Sequence, residues 1–241
     1  MGKKVKYFFI LFLVITNQVS AQNDTLIKVL FVGNSFTAKN NIPKLVSEIS
    51  EQYNVRIETT MSAAEGATLD DHWNHRKGLQ TKKLIAQEKY DFVILQDQST
   101  RPLNYPNETL KSINLFCKYT RLYDSRIGLF LTWSKKNAPN NAQELINKTY
   151  LKAAKENNAL LIPVGKFWQY SKDKYPTIEL YDNDQIHSSS LGAYLSSIII
   201  VSSLNKDMNL NDIKKLIEDN LKLKNEDKKF ISDLFKTQIH N

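Results

Sequence analysis

The chain holds a single cysteine, Cys117, in 241 residues. One thiol cannot form an intramolecular disulfide, so a disulfide-stapled scaffold is excluded and the fold must rest on its core. Cys117 closes Ile113-Asn114-Leu115-Phe116-Cys117, a stretch of helical character. A buried core residue is the expectation there, not a nucleophile, since free cysteine is among the most buried types. Glycine and proline are sparse at 7 and 6. There is no Gly/Ser linker, low-complexity tract or internal repeat, which argues against fibrous, disordered and tandem-repeat architectures. The longest apolar run, Tyr7–Ile15, falls short of the roughly 20 residues of a membrane span. Positive charge is in excess, at a formal net of +8. The lysines are scattered among acids, however, and no basic stripe of the kind nucleic-acid binding needs is present.

What is there begins with a leader. Met1-Gly2-Lys3-Lys4-Val5-Lys6 is basic, Tyr7–Ile15 is apolar, and Val19-Ser20-Ala21 offers small residues at a cleavage point. The expectation is removal of residues 1–21 and one exported domain over 22–241. Lys3, Lys4 and Lys6 would leave with the leader, so the remainder carries +5. No cysteine stands at the cleavage point, against a lipid anchor, so no stable membrane attachment is expected afterwards. The leader and the lysine- and asparagine-rich composition point to a bacterial periplasm or exterior.

Strand-like and helix-like stretches then alternate. Leu26–Val32, Asn54–Met61, Asp91–Gln96, Arg126–Trp133 and Leu160–Val164 read as strands. Helices are expected over Ile42–Tyr53, Leu79–Lys89, Glu108–Tyr123, Ala142–Asn157, Ser189–Leu204, Asn211–Leu221 and Asn225–Gln238, with Lys166–Gln185 loop-rich. Continuous apolar strands alternating with amphipathic helices imply a parallel sheet covered on both faces. The expected class is α/β, a three-layer α/β/α sandwich with about five parallel strands.

Two motifs at opposite ends carry chemistry. Val29-Leu30-Phe31-Val32-Gly33-Asn34-Ser35-Phe36-Thr37 runs a buried strand into a turn, and Asp182-Asn183-Asp184-Gln185-Ile186-His187 sets carboxylates shortly before a histidine. Serine, histidine and acid are the parts of a nucleophile, its base and the base's orienter. Sites in open parallel sheets form at the carboxyl ends of strands, where Ser35 falls. A helix start there supplies N–H groups for an oxyanion. The plainer reading is a polar loop that caps a helix. The segment is neither a Gly-x-Gly-x-x-Gly nor a Walker A loop, and it lacks the Gly-x-Ser-x-Gly elbow. From spacing alone, either Asp184 or Asp182 is the orienter, with Asp184 preferred.

Gly33-Asn34-Ser35-Phe36 resembles the first block of the SGNH (GDSL-type) hydrolase superfamily, with Asn34 in place of the usual Asp. Asp184-Gln185-Ile186-His187 matches its Asp-x-x-His block, and Ser188–Tyr194 resembles the continuation of that block. Gly66 matches the glycine after the second strand. After the third strand, Gln96-Asp97-Gln98-Ser99 replaces the usual Gly-x-Asn-Asp, as in one bacterial branch of the superfamily. The resemblance implies a flavodoxin-like SGNH fold and a Ser35, Asp184, His187 triad without a cofactor. It implies oxyanion donors at Ser35, Gly66 and either Gln98 or Gln96. The expected substrate-binding residues are Asn34, His72, Gln96 and Trp133. The implied substrate is a small acyl ester, acetyl above all, on a carbohydrate. Acyl transfer by the same triad, or a non-catalytic carbohydrate-binding protein, remains an alternative. The oligomeric state stays open.

Asp70-Asp71-His72-Trp73-Asn74-His75 carries metal-ligating types at helical spacing, but a third ligand would have to come from elsewhere. Lining the cleft or starting a helix is the expectation over a metal site. Trp133, Trp168 and Tyr170 stand near strand ends and in the following loop, where they either stack on sugar rings or pack the loops.

Overall fold

The computed structural model describes residues 25–53 and 55–238. The leader and its cleavage point lie outside them. Five strands form one sheet: β1 Thr25–Gly33, β2 Val55–Ala63, β3 Phe92–Leu95, β4 Arg126–Phe130 and β5 Leu160–Ile162. All pairs are parallel, in the order β2-β1-β3-β4-β5. This is the α/β sandwich expected from the alternation of elements.

Successive strand residues face opposite sides, so each strand feeds two cores. Val29, Phe31 and Ile94 face α2 (Ile42–Ser50), α8 (Val164–Lys174) and α9 (Ser190–Leu204), with α10 (Leu210–Asp219) and α11 (Asn225–Gln238) packed outside. Leu30, Val32, Val93, Leu95 and Leu129 face the other layer. That layer holds α3 (Leu69–Trp73), α4 (Thr81–Gln87), α6 (Pro106–Arg121) and α7 (Ala142–Glu156). α9 is buried on nearly every side. Its Ser196 and Ser197 hydroxyls donate back to Gly192 O and Ala193 O, which is how hydroxyls are satisfied inside a buried helix.

The structure departs from expectation, or adds to it, in four places. The segment expected to be loop-rich contains α8, whose Val164, Phe167, Trp168 and Ser171 share a buried face. Those four stand at i, i+3, i+4 and i+7, but Val164 also continues the apolar run of the fifth strand, which ends at Ile162. α3 is a helix because Thr68 and Asp71 form a reciprocal capping box. α5 (Arg101–Asn104) follows β3 with Pro102 in its first turn. β4 ends at Phe130, not Trp133: Leu131 N–H still reaches Ile162 O, the last residue of β5, but its carbonyl accepts from Gly165 N–H at the start of α8, and the pairing stops there.

β1 is an inner strand, and the chain turns to opposite sides of it to build β2 and then β3. The carboxyl end of β1 is therefore a topological switch point, where an open α/β sheet leaves a crevice. A short helix, α1 (Ser35–Ala38), starts there.

Candidate active site

The turn after β1 is built by Gly33 and the side chains of Asn34, Thr37 and Gln96. A Cβ on Gly33 would sit 2.5 Å from Thr37 Oγ1 and 2.6 Å from Gln96 Oε1, so only glycine lets those two close over the strand end. Gln96 Oε1 accepts from Asn34 N–H at 3.1 Å and from Thr37 Oγ1 at 3.0 Å. Asn34 is the N-cap of α1 and accepts Phe36 N–H at 3.0 Å through Oδ1. Its backbone carbonyl takes the Thr37 and Ala38 N–H groups. Ser35 is thus the first helical residue, and among the described residues no hydrogen bond takes its N–H. Asn34 Nδ2 also donates to Ala67 O at 2.9 Å, joining this turn to the one after β2. That second turn carries Gly66 at φ +59°, a conformation that favours glycine.

The loop before α9 supplies the partners. Asp182 N–H donates to His187 O at 2.8 Å, and Tyr181 bridges Ser188, so residues 181–188 fold back on themselves. Trp133 Nε1 holds Ile186 O at 2.9 Å and Lys136 N–H holds Gln185 O at 3.0 Å, fixing the loop from outside. His187 Nε2 then lies 2.8 Å from Ser35 Oγ, and Nδ1 lies 2.6 Å from Asp184 Oδ2. Asp184 Oδ1 accepts the Ile186 and His187 N–H groups at 3.0 and 2.9 Å. An ionised carboxylate only accepts, so Nδ1 carries the ring proton and Nε2 accepts from the Ser35 hydroxyl. The bonds from the His187 side chain and backbone hold the Asp184 carboxyl well below the usual carboxylate range. Asp182 makes no hydrogen bond to the ring and pairs with Lys39 at 2.8 Å. The structure thus brings Ser35, His187 and Asp184 into one hydrogen-bonded line. Ser35 is partly exposed at its serine end.

No family model matches the chain, and no curated protein matches it. Solved structures do. A protein from Slackia heliotrinireducens assigned to the SGNH hydrolases superposes at TM-score 0.66 with 24% identity, over 75% of this chain and 100% of its own. A DUF4886 family protein from Bacteroides uniformis gives 0.65 with 17% identity, over 90% and 95%. An acetyl xylan esterase from Geobacillus stearothermophilus gives 0.57 with 16% identity, over 80% and 96%. The fold is that of the SGNH hydrolases.

Within this SGNH fold, the four residues expected to line the substrate site lie beneath it. Asn34, His72, Gln96 and Trp133 are each no more than 2% exposed, so they shape the site and offer substrate no surface. His72 Nε2 is 2.8 Å from Gly33 O and Nδ1 is 2.6 Å from Thr81 Oγ1. A carbonyl only accepts, so Nε2 carries the proton and Nδ1 accepts from Thr81. Burial keeps this imidazole neutral by lowering its pKa. His72 therefore braces the strand end and is turned away from Asp71, which bonds Thr68 and Arg76. Among the described residues no group of three metal-ligating side chains is assembled. Trp133 is stacked between Phe36 at 4.6 Å and Trp168 at 4.0 Å, ring centre to ring centre. Both tryptophans pack the interior and form no platform for a sugar.

Of the two glutamines after β3, Gln96 is committed to the Ser35 turn, and its amide donates to Asp97 O. Gln98 is part-buried. Its Oε1 accepts from Thr100 N–H and Oγ1, both at 3.0 Å, and its amide reaches Ser99 Oγ at 3.3 Å. One amide hydrogen is left over by that arrangement.

Residues that sequence reasoning did not single out also support the site. Asp97 is wholly buried and accepts Leu69 N–H, Gln98 N–H and Thr109 O–H at 2.9, 2.9 and 2.7 Å. It ties the β3 loop to α3 and α6, and burial raises its pKa. Lys39 and Asn40 reach from the end of α1 to the His187 loop. Nothing in their residue types announces this, because their partners lie about 145 positions away.

Proposed function

We propose that the protein is an exported serine esterase that hydrolyses small acyl esters, acetyl esters of carbohydrates in particular. The observation that carries this reading is the unbroken line from Ser35 Oγ through the His187 ring to Asp184 Oδ2, at 2.8 and 2.6 Å. In this reading Ser35 attacks the ester carbonyl while His187 Nε2 takes its proton. His187 then returns that proton to the leaving alcohol, and water repeats the sequence on the acyl-enzyme. Asp184 fixes the tautomer and stabilises the imidazolium. Ser35 N–H and Gly66 N–H meet the oxyanion as backbone donors, with the spare amide hydrogen of Gln98 as the third.

The acetyl xylan esterase among the structures of the same fold supports the choice of acetylated sugar. The basic, apolar and small-residue segments of residues 1–21 support export.

The test is hydrolysis of p-nitrophenyl acetate by the protein and by Ser35→Ala. Turnover should be abolished in the variant. Equal rates in both would discard Ser35 as nucleophile. Release of acetate from acetylated xylo-oligosaccharides then tests the substrate class, and product analysis with added acceptor sugars separates hydrolysis from transfer. Gln98→Ala should lose about 3 kcal/mol of transition-state stabilisation, the typical worth of one oxyanion donor. Unchanged kcat in a folded variant would remove Gln98 from the site.

A further inference from the structure

Lys39 touches both ends of the Ser35–His187–Asp184 line. Its backbone N–H caps α1 by donating to Ser35 O. Its Nζ lies 2.8 Å from Asp182 Oδ2 and 3.2 Å from Asp184 Oδ2. That Asp184 oxygen is the one that accepts His187 Nδ1–H. The next residues, Asn40 and Asn41, take φ +58° and +48°, values that asparagine tolerates better than most residues. This tight turn aims Asn40 Nδ2 at Ser188 O, 2.7 Å away. Residues 39 and 40 therefore hold the base's loop on both sides of His187.

We propose that Lys39 is a positioning residue that shares the Asp184 carboxylate with His187 and so limits how strongly the ring holds a proton. Its catalytic meaning rests on the esterase reading above. Structural stability is a poor reason for the contact. The side chains of Lys39, Asp182 and Asp184 are 37–38% exposed, and exposed pairs are worth only about 0–1 kcal/mol. The charge effect has a definite sign. A carboxylate beside an imidazolium favours its proton, and an ammonium on the same oxygen withdraws part of that support. A base held in place yet not over-stabilised when protonated stays available at neutral pH.

The groups that face the ring fix the interpretation. Asp184 and Asp182 come from its own loop, and Lys39 comes from the end of α1. α1 otherwise presents the Phe36 ring, 5.5 Å away and edge-on, and the Ser35 hydroxyl. Lys136 and Glu179 are paired with each other on the outer side of the loop.

The experiment is a titration of the His187 ring by NMR in the wild-type protein, Lys39→Met, Lys39→Arg and Asp182→Asn. The His187 signal is assigned by its loss in His187→Gln. The kcat/KM profile against pH is recorded alongside. In Lys39→Met the ring midpoint should rise by roughly 0.3–0.7 of a pH unit, the size an exposed pair can supply. Lys39→Arg should restore it. Asp182→Asn should lower it, since an anion is lost and Lys39 is released onto Asp184. An unchanged midpoint in Lys39→Met, or a shift of both charge variants in the same direction, would overturn the proposal. If the wild-type protein shows no Ser35-dependent turnover, the esterase reading fails, while the ring titration still decides the role of Lys39.

Discussion

Ser35 and His187 are 152 positions apart in the chain, yet a capping asparagine at one end and a folded-back loop at the other set them 2.8 Å apart. The residues that touch across that gap were legible from type and spacing. The residues beneath them were not, because burial is a property of the neighbours. His72 shows this clearly: its exposed-looking segment of acids and histidines gives no hint that the ring is fully buried under Gly33. His72→Leu leaves Gly33 O without this partner, while Thr81 Oγ1 keeps Ser62 Oγ at 2.8 Å. A loss of about 1–3 kcal/mol in urea denaturation is expected, with lower kcat. At Asp184, replacement by Asn should cut kcat by roughly 10³–10⁴-fold, because an amide neither fixes the tautomer nor stabilises imidazolium. The same variant has a pH signature. The folded-state pKa of Asp184 is depressed, so its contribution to stability is present above the unfolded carboxylate value and is lost as pH falls. The stability gap between the protein and Asp184→Asn should therefore narrow on acidification below about pH 4.

Strands and long helices were readable because each repeats one period against one neighbour. α8 is hard to read because its first buried position, Val164, also continues the apolar run of β5, and the segment runs on into the asparagine- and aspartate-rich loop. α3 depends on Thr68, Asp71 and a third contact from outside the helix, Asp97 Oδ1 on Leu69 N–H. Only a structure shows that last bond. Asp97→Asn keeps an oxygen for Leu69 and Gln98, and Thr109 Oγ1 can turn to accept from the new amide, so what it removes is the charge 3.6 Å from Arg101 Nε. It should cost about 1–2 kcal/mol, less than removal of the whole side chain. Asp97→Ala strips the partner from two buried N–H groups and should cost about 3 kcal/mol or more. Chemical denaturation of the two variants makes the comparison.

At the scale of the whole molecule, the strand order and the switch point follow from alternation along the chain, whereas the meeting of its first and last motifs depends on every intervening layer being in place. Cys117 samples that layer directly. It is wholly buried, and burial pushes its thiol up to about 11. An aromatic disulfide reagent should leave it untouched in the native protein and modify it at a rate that tracks unfolding as urea is added. The stacked rings beneath the site sample the other layer. Phe36 follows Ser35, Trp133 holds the carbonyl just before His187, and Trp168 completes the stack. Trp133 and Trp168 lie with rings 5° from parallel, close enough for their electronic transitions to couple. The near-ultraviolet circular dichroism of that pair is thus an optical gauge of whether the His187 loop is seated, readable without any substrate.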